Sequence, residues 1–339
     1  MIEVGYGLIT CQTHPDDPRG WEELYSEALE LATLAESSGA ESIWVSEHHF
    51  VDDGYLPALL PMMAALAAVT RTAKIGSAMV LAPFYDPLRL AEDAAVTDLI
   101  SQGRVILGLS MGWLPQEFAA FGKSSKRRVR LLVDAIQICR TGWAGEPTTQ
   151  REDGTPFGYI TPRPARGQIP IWIGAAAEPA VRRVGRLADG FMATNCTPDE
   201  LAVAVRTVRE EAEQHGRDPD AIDIAVHLQT FVTDDSDPWA AVGEHILYQA
   251  WKYGDIASRW DIEGGLRPMP PQHPDFESWV RAMSLVGTAD HVAARIQEYA
   301  EKVGGNLHFV ARSYFPGLGA QRQRENAQSL AEIRSCLGR

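Results

Sequence analysis

Short apolar runs alternate along this chain with longer segments in which apolar residues recur every three or four positions. Residues 4–10 are typical of the short runs, and residues 21–38 are typical of the long segments, with Leu24, Ala28 and Leu31 on one face. Side chains alternate between the faces of a strand but repeat about every 3.6 residues along a helix, so the two patterns predict strands and amphipathic helices. The predicted strands are residues 4–10, 41–46, 74–81, 104–110, 170–174, 190–193, 222–230 and 307–312.

A helix is predicted after each of these strands. The predicted helices are residues 21–38, 57–70, 87–101, 126–141, 178–187, 198–215, 289–302 and 320–337. Strands that alternate with helices pair in parallel, and eight such units in 339 residues predict a closed (β/α)8 barrel, the TIM barrel. A doubly wound open sheet is the alternative, but no G-x-G-x-x-G motif opens a predicted helix. No change of composition marks a linker, so residues 1–339 are interpreted as one domain.

Two segments interrupt the alternation and are interpreted as irregular insertions, one after the fourth strand and its helix and one after the seventh strand. Residues 142–168 are rich in Gly, Pro and Thr. Residues 234–285 carry several tryptophans. Both insertions are expected to enclose the substrate, with their aromatic side chains walling an apolar pocket. The tryptophans of this second insertion are Trp239, Trp251, Trp260 and Trp279.

The charge balance argues against a nucleic-acid partner. The chain has 31 Lys and Arg against 45 Asp and Glu, a formal net charge of −14. Proteins that bind nucleic acids usually present a basic face, and the one local basic cluster, at residues 126–130, is too small to reverse this balance.

No membrane association or disulfide framework is predicted. The longest apolar stretch, residues 56–69, is broken by two prolines and is shorter than the roughly 20 residues that cross a bilayer. The N-terminus has no basic region before an apolar one, so it does not resemble a secretory signal. The four cysteines lie far apart and form no C-x-x-C pair. We therefore expect a cytoplasmic protein with idle or buried thiols.

In a barrel of this kind, reactive groups lie where the strands end. His48 and His49 follow the second strand, and because neighbouring residues of a strand point to opposite faces, one of them is expected to face the barrel axis. An imidazole there is suited to proton transfer near neutral pH. A metal site is a weaker alternative, since no H-x-H or H-E-x-x-H motif supports it, and a purely structural histidine pair is another.

Three further strand ends carry small residues. Ser77 and Ala78 end the third strand, where they allow a flat ring to approach the backbone or simply fit a tight barrel. Ser110 and Met111 end the fourth strand and are expected to face the mouth, whereas Trp113 and Phe118 are interpreted as core residues.

Gly174 ends the fifth strand, and three alanines separate it from the next helix. This turn leaves backbone N–H groups open at a helix N-terminus, which predicts an anion site, typically for a phosphate. A plain tight turn is the alternative.

Taken in order, these residues resemble the bacterial luciferase-like family of flavin-dependent oxidoreductases. The resemblance covers nearly the whole chain outside the two insertions. It rests on E-H-H-F (47–50), D-G-Y-L-P (53–57), P-L-R-L-A-E-D (87–93), D-L-I-S-Q-G-R (98–104), F-x-x-F-G (118–122), P-I-W-I-G (170–174), A-D-G-F (188–191) and G-T-x-x-x-V (287–292).

The resemblance implies a barrel that holds reduced FMN or the deazaflavin F420 at its mouth. In luciferase-like monooxygenases, reduced FMN comes from a separate NAD(P)H:flavin reductase, and a C4a-(hydro)peroxide formed with O2 oxygenates the substrate. His48 matches the catalytic histidine of the family. Ala78 matches the position under the isoalloxazine ring, where a non-prolyl cis peptide is common. The resemblance further implies that the phosphate side of the cofactor is bound by Gly174, Ala175, Ala176 and Ala177.

One position departs from the family pattern. Luciferases place a phosphate-binding arginine after the fourth strand, where this chain has Met111, next to Ser110 in the expected cofactor site. Arg127, Arg128 or Arg130 on the following helix is a candidate for the missing cation, and Arg130 fits a family arginine best. A solvated basic helix face is the alternative interpretation of these arginines.

The leading hypothesis is a two-component FMN-dependent monooxygenase that acts on a small organic substrate. The alternatives are an F420-dependent oxidoreductase that transfers hydride, and a non-catalytic flavin-binding barrel or companion subunit. A homodimer is expected from the family, formed through the second and third helices. The apolar residues assigned to that contact are Leu59, Met62, Met63 and Leu66.

Overall fold

The strands of the barrel form where the sequence alternation places them. The computed structural model describes residues 1–259 and 265–338. Its strands are β1 Ile2–Ile9, β2 Ser42–Val45, β3 Lys74–Ser77, β4 Val80–Leu81, β5 Val105–Ser110, β6 Thr149–Gln150, β7 Pro156–Phe157, β8 Ile171–Gly174, β9 Gly190–Thr194, β10 Asp223–Val232, β11 Leu285–Gly287 and β12 Leu307–Arg312.

Helices follow the strands and cover the outside of the sheet. They are α1 Trp21–Ser37, α2 Leu59–Val69, α3 Pro87–Ser101, α4 Pro115–Ala120, α5 Arg128–Trp143, α6 Glu178–Leu187, α7 Pro198–Gln214, α8 Pro238–Ser258, α9 Pro274–Ala282, α10 Ala289–Val303, α11 Ala320–Gln328 and α12 Leu330–Leu337. The last predicted helix, 320–337, is in fact two helices that meet at Ser329.

Parallel pairing closes the sheet into a barrel. The order is β1, β2, β3, β5, β8, β9, β10 and β12, and β12 pairs again with β1. The predicted (β/α)8 barrel is therefore confirmed, with all eight predicted strands in place. The third strand differs in one respect, because it breaks at Ala78 and Met79, and β4 continues it along β5.

Large rings fill the inside of the barrel below its mouth. Trp44 and Trp172 are fully buried, with ring centroids 5.3 Å apart. Gly76 and Gly190 make room for them, because a Cβ at either position would collide with an indole ring. These side chains thus close the interior at this level, so a ligand is expected at the C-terminal end of the barrel.

The second insertion, residues 234–285, is not irregular as predicted, because it forms α8, α9 and β11. Asp237 caps α8 by accepting the backbone N–H of Ala240, and Pro238 occupies the first turn. Strand β11 then pairs with the end of β10. Trp260 lies outside the described residues. The first insertion, residues 142–168, contains the end of α5 and the small β6–β7 hairpin and is otherwise irregular.

The apolar residues predicted at a dimer contact are buried within the chain's own core. Leu59, Met62, Met63 and Leu66 are each 5% exposed or less. The interpretation that they exceed the needs of the core is therefore wrong. Among the described residues, no helix combines the length and the apolar character needed to cross a bilayer.

Candidate functional site

A cavity of about 420 Å³ lies at the C-terminal ends of the barrel strands. Its volume falls within the range of small-molecule and cofactor sites. Six of the residues predicted at the site line it. They are His48, Ala78, Ser110, Gly174, Ala175 and Ala176.

Three other predicted residues do not line the cavity. Met111 packs against the main core, and Ala177 is an exposed residue just before α6. Arg130 is 74% exposed and forms an ion pair with Asp134 one helical turn away, at 2.6 Å. The structure therefore does not place Arg130 at the cavity, and its exposure agrees with the alternative of a solvated basic helix face.

Small residues form one wall of the cavity. The peptide between Ala78 and Met79 is cis, as the resemblance implied. Met79 packs so closely against the fifth barrel strand that a Cβ on Gly174 would lie 2.9 Å from its Cγ. Ala78, Ser110 and Gly174 bring the backbone close to the cavity, and the Met79 side chain is the one long side chain among them, so this part of the wall suits a planar ring system.

His48 is held by a buried carboxylate that the sequence analysis missed. Its Nδ1 lies 3.1 Å from Oε1 of Glu117, which is fully buried at the start of α4. The same oxygen accepts the backbone N–H of His49 at 2.9 Å, so Glu117 acts as an acceptor and Nδ1 carries the proton. This pairing leaves Nε2 as the imidazole atom available for proton exchange.

Aromatic rings fix the orientation of the His48 imidazole further. The rings of Tyr55, Trp113 and Tyr253 lie edge-on to it, with centroids 5.0, 6.1 and 5.5 Å away. Trp113 is 45% exposed and lines the cavity, so its interpretation as a core residue is wrong, whereas Phe118 is buried as predicted.

The second histidine of the pair belongs to the surrounding structure. His49 Nε2 lies 2.6 Å from Oε1 of Glu47, whose other oxygen accepts the backbone N–H of Leu81. Burial raises the pKa of Glu47, and the hydrogen bond from His49 opposes that rise. No group of three or more His, Cys, Asp or Glu able to hold a metal occurs in residues 1–259 and 265–338.

The turn before α6, which reaches the cavity at Ala175 and Ala176, has unpaired backbone donors. Within the described parts of the chain, the N–H groups of Ala176, Ala177 and Glu178 donate to no acceptor, and no side chain caps the helix. Thr194 and Asn195, from the end of β9, line the cavity as well. The open amides and the helix dipole suit the anionic end of a ligand.

The far side of the cavity carries polar residues that the sequence analysis also missed. Arg312 ends β12, and its Nη2 donates to the hydroxyl of Tyr253 at 3.1 Å. His227 and Gln229 project from β10. Burial, and then the positive charge of Arg312, lower the pKa of His227 to about 3. The rule that strand ends carry function would have found Arg312, whereas His227 lies inside a strand and gave no signal.

Comparisons with known proteins agree with this geometry. A family model described as luciferase-like monooxygenase matches residues 4–306. The F420-dependent glucose-6-phosphate dehydrogenase of Amycolatopsis mediterranei (strain U-32) is 30% identical over 234 residues, which cover 65% of this chain and 67% of that protein. The 4-hydroxyprotoasukamycin monooxygenase of Streptomyces nodosus subsp. asukaensis is 26% identical over 331 residues, which cover 90% of this chain and 84% of that protein.

A solved structure shares the fold over almost its whole length. It is the oxygenating constituent of 3,6-diketocamphane monooxygenase from the CAM plasmid of Pseudomonas putida, in complex with FMN. The TM-score is 0.75 at 21% identity, and the match covers 97% of this chain and 96% of that one.

Proposed function

The chain belongs to the luciferase-like monooxygenase family, and from that premise we propose that it is the oxygenase of a two-component, FMN-dependent monooxygenase. Reduced FMN would come from a separate NAD(P)H:flavin reductase, and the second substrate would be a small organic molecule. The related diketocamphane protein is described as an oxygenating constituent with FMN, which supports the two-component arrangement. The match to a monooxygenase over 90% of this chain supports oxygenation.

The observation that carries the proposal is the composition of the cavity wall. A surface of small residues around Ala78 and Ser110 lies between a held imidazole, His48, and the open amides before α6. The wall offers a flat site for the ring and the amides an anion site for the phosphate, while the imidazole beside the ring is suited to proton transfer. The residues present therefore fit the cofactor.

When bound, reduced FMN supplies the electrons for the activation of O2. The protein supplies binding and proton control. The amides of Ala176 and Ala177 would hold the phosphate, and Ala78 with Ser110 would face the ring. His48 would give or take a proton at Nε2, because Glu117 fixes its Nδ1–H.

The α8–α9 segment would exclude water from the reacting groups. Ala250 of α8 and Val280 of α9 line the cavity with apolar side chains. Exclusion of water strengthens the electrostatic interactions inside a site and limits side reactions of reactive species.

A second candidate is an F420-dependent oxidoreductase that transfers hydride. The dehydrogenase from A. mediterranei, at 30% identity, favours it. The same wall of small residues and the same anion site would accept a deazaflavin, so the two candidates differ in the chemistry and not in the fold.

Cofactor titration separates these two functions. The purified protein is titrated anaerobically with reduced FMN and, separately, with reduced F420, followed by fluorescence. We expect FMN to bind at least about tenfold more tightly, and we expect substrate-dependent oxygen uptake when a flavin reductase and NADH are added. Tighter binding of F420 together with anaerobic turnover would establish the second candidate instead.

We further propose that the protein is a homodimer that uses the outer face of α3. Leu88 near the start of this helix and Val96, Leu99 and Ile100 near its end are each between 37% and 45% exposed. Light scattering should give the mass of a dimer for the wild type and that of a monomer for Leu99→Glu. A monomeric wild type would contradict this part of the proposal.

A further inference from the structure

Arg312 is a buried cation at the cavity with unused hydrogen-bonding capacity. It is 5% exposed, and it is the only Lys or Arg among the described residues that line the cavity. A guanidinium has five N–H donors, and the contact with Tyr253 uses one of its nitrogens. Its Nε has no hydrogen-bond partner among residues 1–259 and 265–338.

No carboxylate compensates this charge within the described structure. The ion pairs formed by the described residues, with atoms up to 4 Å apart, do not include Arg312. A buried charge without a counter-ion is costly, whereas the same charge opposite an anion forms strong, directed hydrogen bonds. The positive charge of Arg312 therefore lacks a counter-ion among the described residues, and an anionic ligand would supply one.

The neighbours of Arg312 add donors and no negative charge. Gln229 lies directly beside Arg312 in the parallel pairing of β10 and β12, and His227 lies two residues earlier on the same face of β10. The low pKa of His227, about 3, keeps this ring neutral at physiological pH. Its Nδ1 also has no partner in the described part of the chain.

Arg312 lies on the opposite side of the barrel from the small-residue wall. The wall belongs to the third to fifth barrel strands (β3, β5 and β8), whereas Gln229 and Arg312 belong to the seventh and eighth (β10 and β12). Tyr253 connects this second side to α8, which covers it. A ring stacked near Ala78 with its phosphate before α6 therefore leaves the Arg312 side for the other reactant.

We propose that Arg312 binds a carboxylate of the organic substrate, so that the substrate class is organic carboxylates. This inference rests on the proposed function, since it assigns the other side of the cavity to the cofactor. The planar fork of the guanidinium matches the two oxygens of a carboxylate, and within the described residues only its Nη2 has a hydrogen-bond partner. Tyr253 then holds the arginine from the α8 side.

The test compares benzoate with benzamide, which has the same shape but no charge. Binding to the purified protein is measured by calorimetry and by the shift in melting temperature. We expect benzoate to bind the wild type at least about tenfold more tightly than benzamide, the scale of one hydrogen bond to a charged group. In Arg312→Met this preference should disappear, and in Arg312→Lys part of it should remain, because the charge stays but the fork is lost.

Arg130→Met serves as the matched control, since Arg130 is an exposed arginine outside the cavity. It should keep the full preference for benzoate. Equal binding of benzoate and benzamide to the wild type, or an unchanged preference in Arg312→Met, would overturn the inference. If Arg312→Met fails to fold, Arg312→Lys carries the test, and full retention of the preference in that variant would count against the guanidinium fork.

A titration of the same variants with reduced FMN separates this inference from the proposed function. We expect Arg312→Met to bind FMN within about threefold of the wild type. A selective loss of FMN affinity would assign Arg312 to the cofactor and overturn the inference. Failure of the wild type to bind FMN would instead refute the proposed function, whatever the benzoate result.

Discussion

At the N-terminal end of the barrel the polar side chains form one connected chain, beside which only Nε1 of Trp172 is unpaired, whereas at the C-terminal end several buried polar atoms have no partner among the described residues. At the first end, Trp44 donates to Ser42, Ser42 contacts His308, and His308 and Lys74 both contact Glu3. Each contact in this chain is 3.2 Å or shorter. The cavity there measures only about 70 Å³.

At the other end, Oε2 of Glu117, Nδ1 of His227 and Nε of Arg312 have no hydrogen-bond partner within the described residues. His227 and Arg312 line the cavity of about 420 Å³. Glu117 does not line it, but it contacts His48, which does. Buried polar groups are normally paired, so unpaired ones at one end of a fold indicate where a ligand completes the structure. We infer that the paired end contributes to stability and the unpaired end to function.

The largest expected effect concerns a group of ion pairs close to the cavity. It tests whether fully paired charges stabilise the fold there as well as at the N-terminal end. Lys252 of α8 is buried between Asp52 and Asp255, at 2.6 and 2.9 Å. Lys252→Met would leave buried carboxylates short of one cation, although Arg259 still contacts Asp52. We expect a loss of about 3 kcal/mol in the free energy of unfolding, measured by denaturant titration.

The double variant Asp52→Asn/Lys252→Met is the control, because it removes one charge of each sign. It should be more stable than the single variant. A Lys252→Met protein as stable as the wild type would show that this cluster does not attach α8 to the loop after β2.

The next effect concerns catalysis at the unpaired end. His48→Ala removes the cavity imidazole whose Nδ1 is held by Glu117, and we expect kcat to fall about 10²-fold or more, the scale of a positioned acid or base. His291→Ala, at an exposed histidine of α10, should leave kcat unchanged. Steady-state kinetics with saturating reduced FMN measure both. Unaltered turnover in His48→Ala would remove this residue from the mechanism.

Glu117 should matter less, because it acts on the reaction only through His48. Glu117→Gln keeps the size of the side chain but loses its charge, and we expect kcat to fall about tenfold, the lower range for groups that orient a functional histidine. KM and the FMN dissociation constant should stay within about twofold, since Glu117 does not line the cavity. A rise in KM without a change in kcat would contradict the positioning role.

The smallest effects appear as opposite pH dependences at the two ends. The hydrogen bond from His308 and the contact with Lys74 hold the pKa of Glu3 at about 2, although burial opposes them. A lowered pKa stabilises the folded state above the unfolded value, and this stabilisation is lost as the pH falls. The wild type should therefore melt about 2–4 °C above Glu3→Gln at pH 7, and the gap should close between pH 4.5 and pH 2.

Asp53, in the loop after β2, should show the reverse sign. Burial raises its pKa to about 6, despite the hydrogen bond from Gln12. A raised pKa stabilises the folded state at low pH, and this contribution is lost as the pH rises through 6. Relative to Asp53→Asn, the wild type should therefore lose melting temperature between pH 4 and pH 7. The two differences in melting temperature, wild type minus Glu3→Gln and wild type minus Asp53→Asn, should change with pH in opposite directions. A change in the same direction would contradict the contrast between the two ends.

Much of the barrel was predictable because its strands are buried on both faces and its helices on one. The periodicity failed at α8, whose buried face includes Gln249, Lys252 and Asp255 towards its C-terminal end. These polar residues interrupt the apolar repeat that predicts an amphipathic helix, and their burial is stabilised by ion pairs and hydrogen bonds to distant parts of the chain. A pattern of apolar positions does not contain such pairings.

The same limit applies to the site. His48, Ala78, Ser110 and the turn after Gly174 were found because the strand-end rule and the family resemblance both point to them. The family assignment itself is confirmed. Glu117 was missed because it is separated from His48 by 69 positions in the chain and meets it only through the packing of α4. Arg130 was chosen because it fits a family arginine best, but its side chain is exposed to solvent.

The most direct test of the central claim is a crystal structure of the protein soaked with FMN. We predict that the ring lies against Ala78 and Ser110, with the phosphate at the amides before α6 and His48 beside the ring. FMN bound away from this cavity, or a cavity that stays empty at a saturating concentration of FMN, would contradict the account.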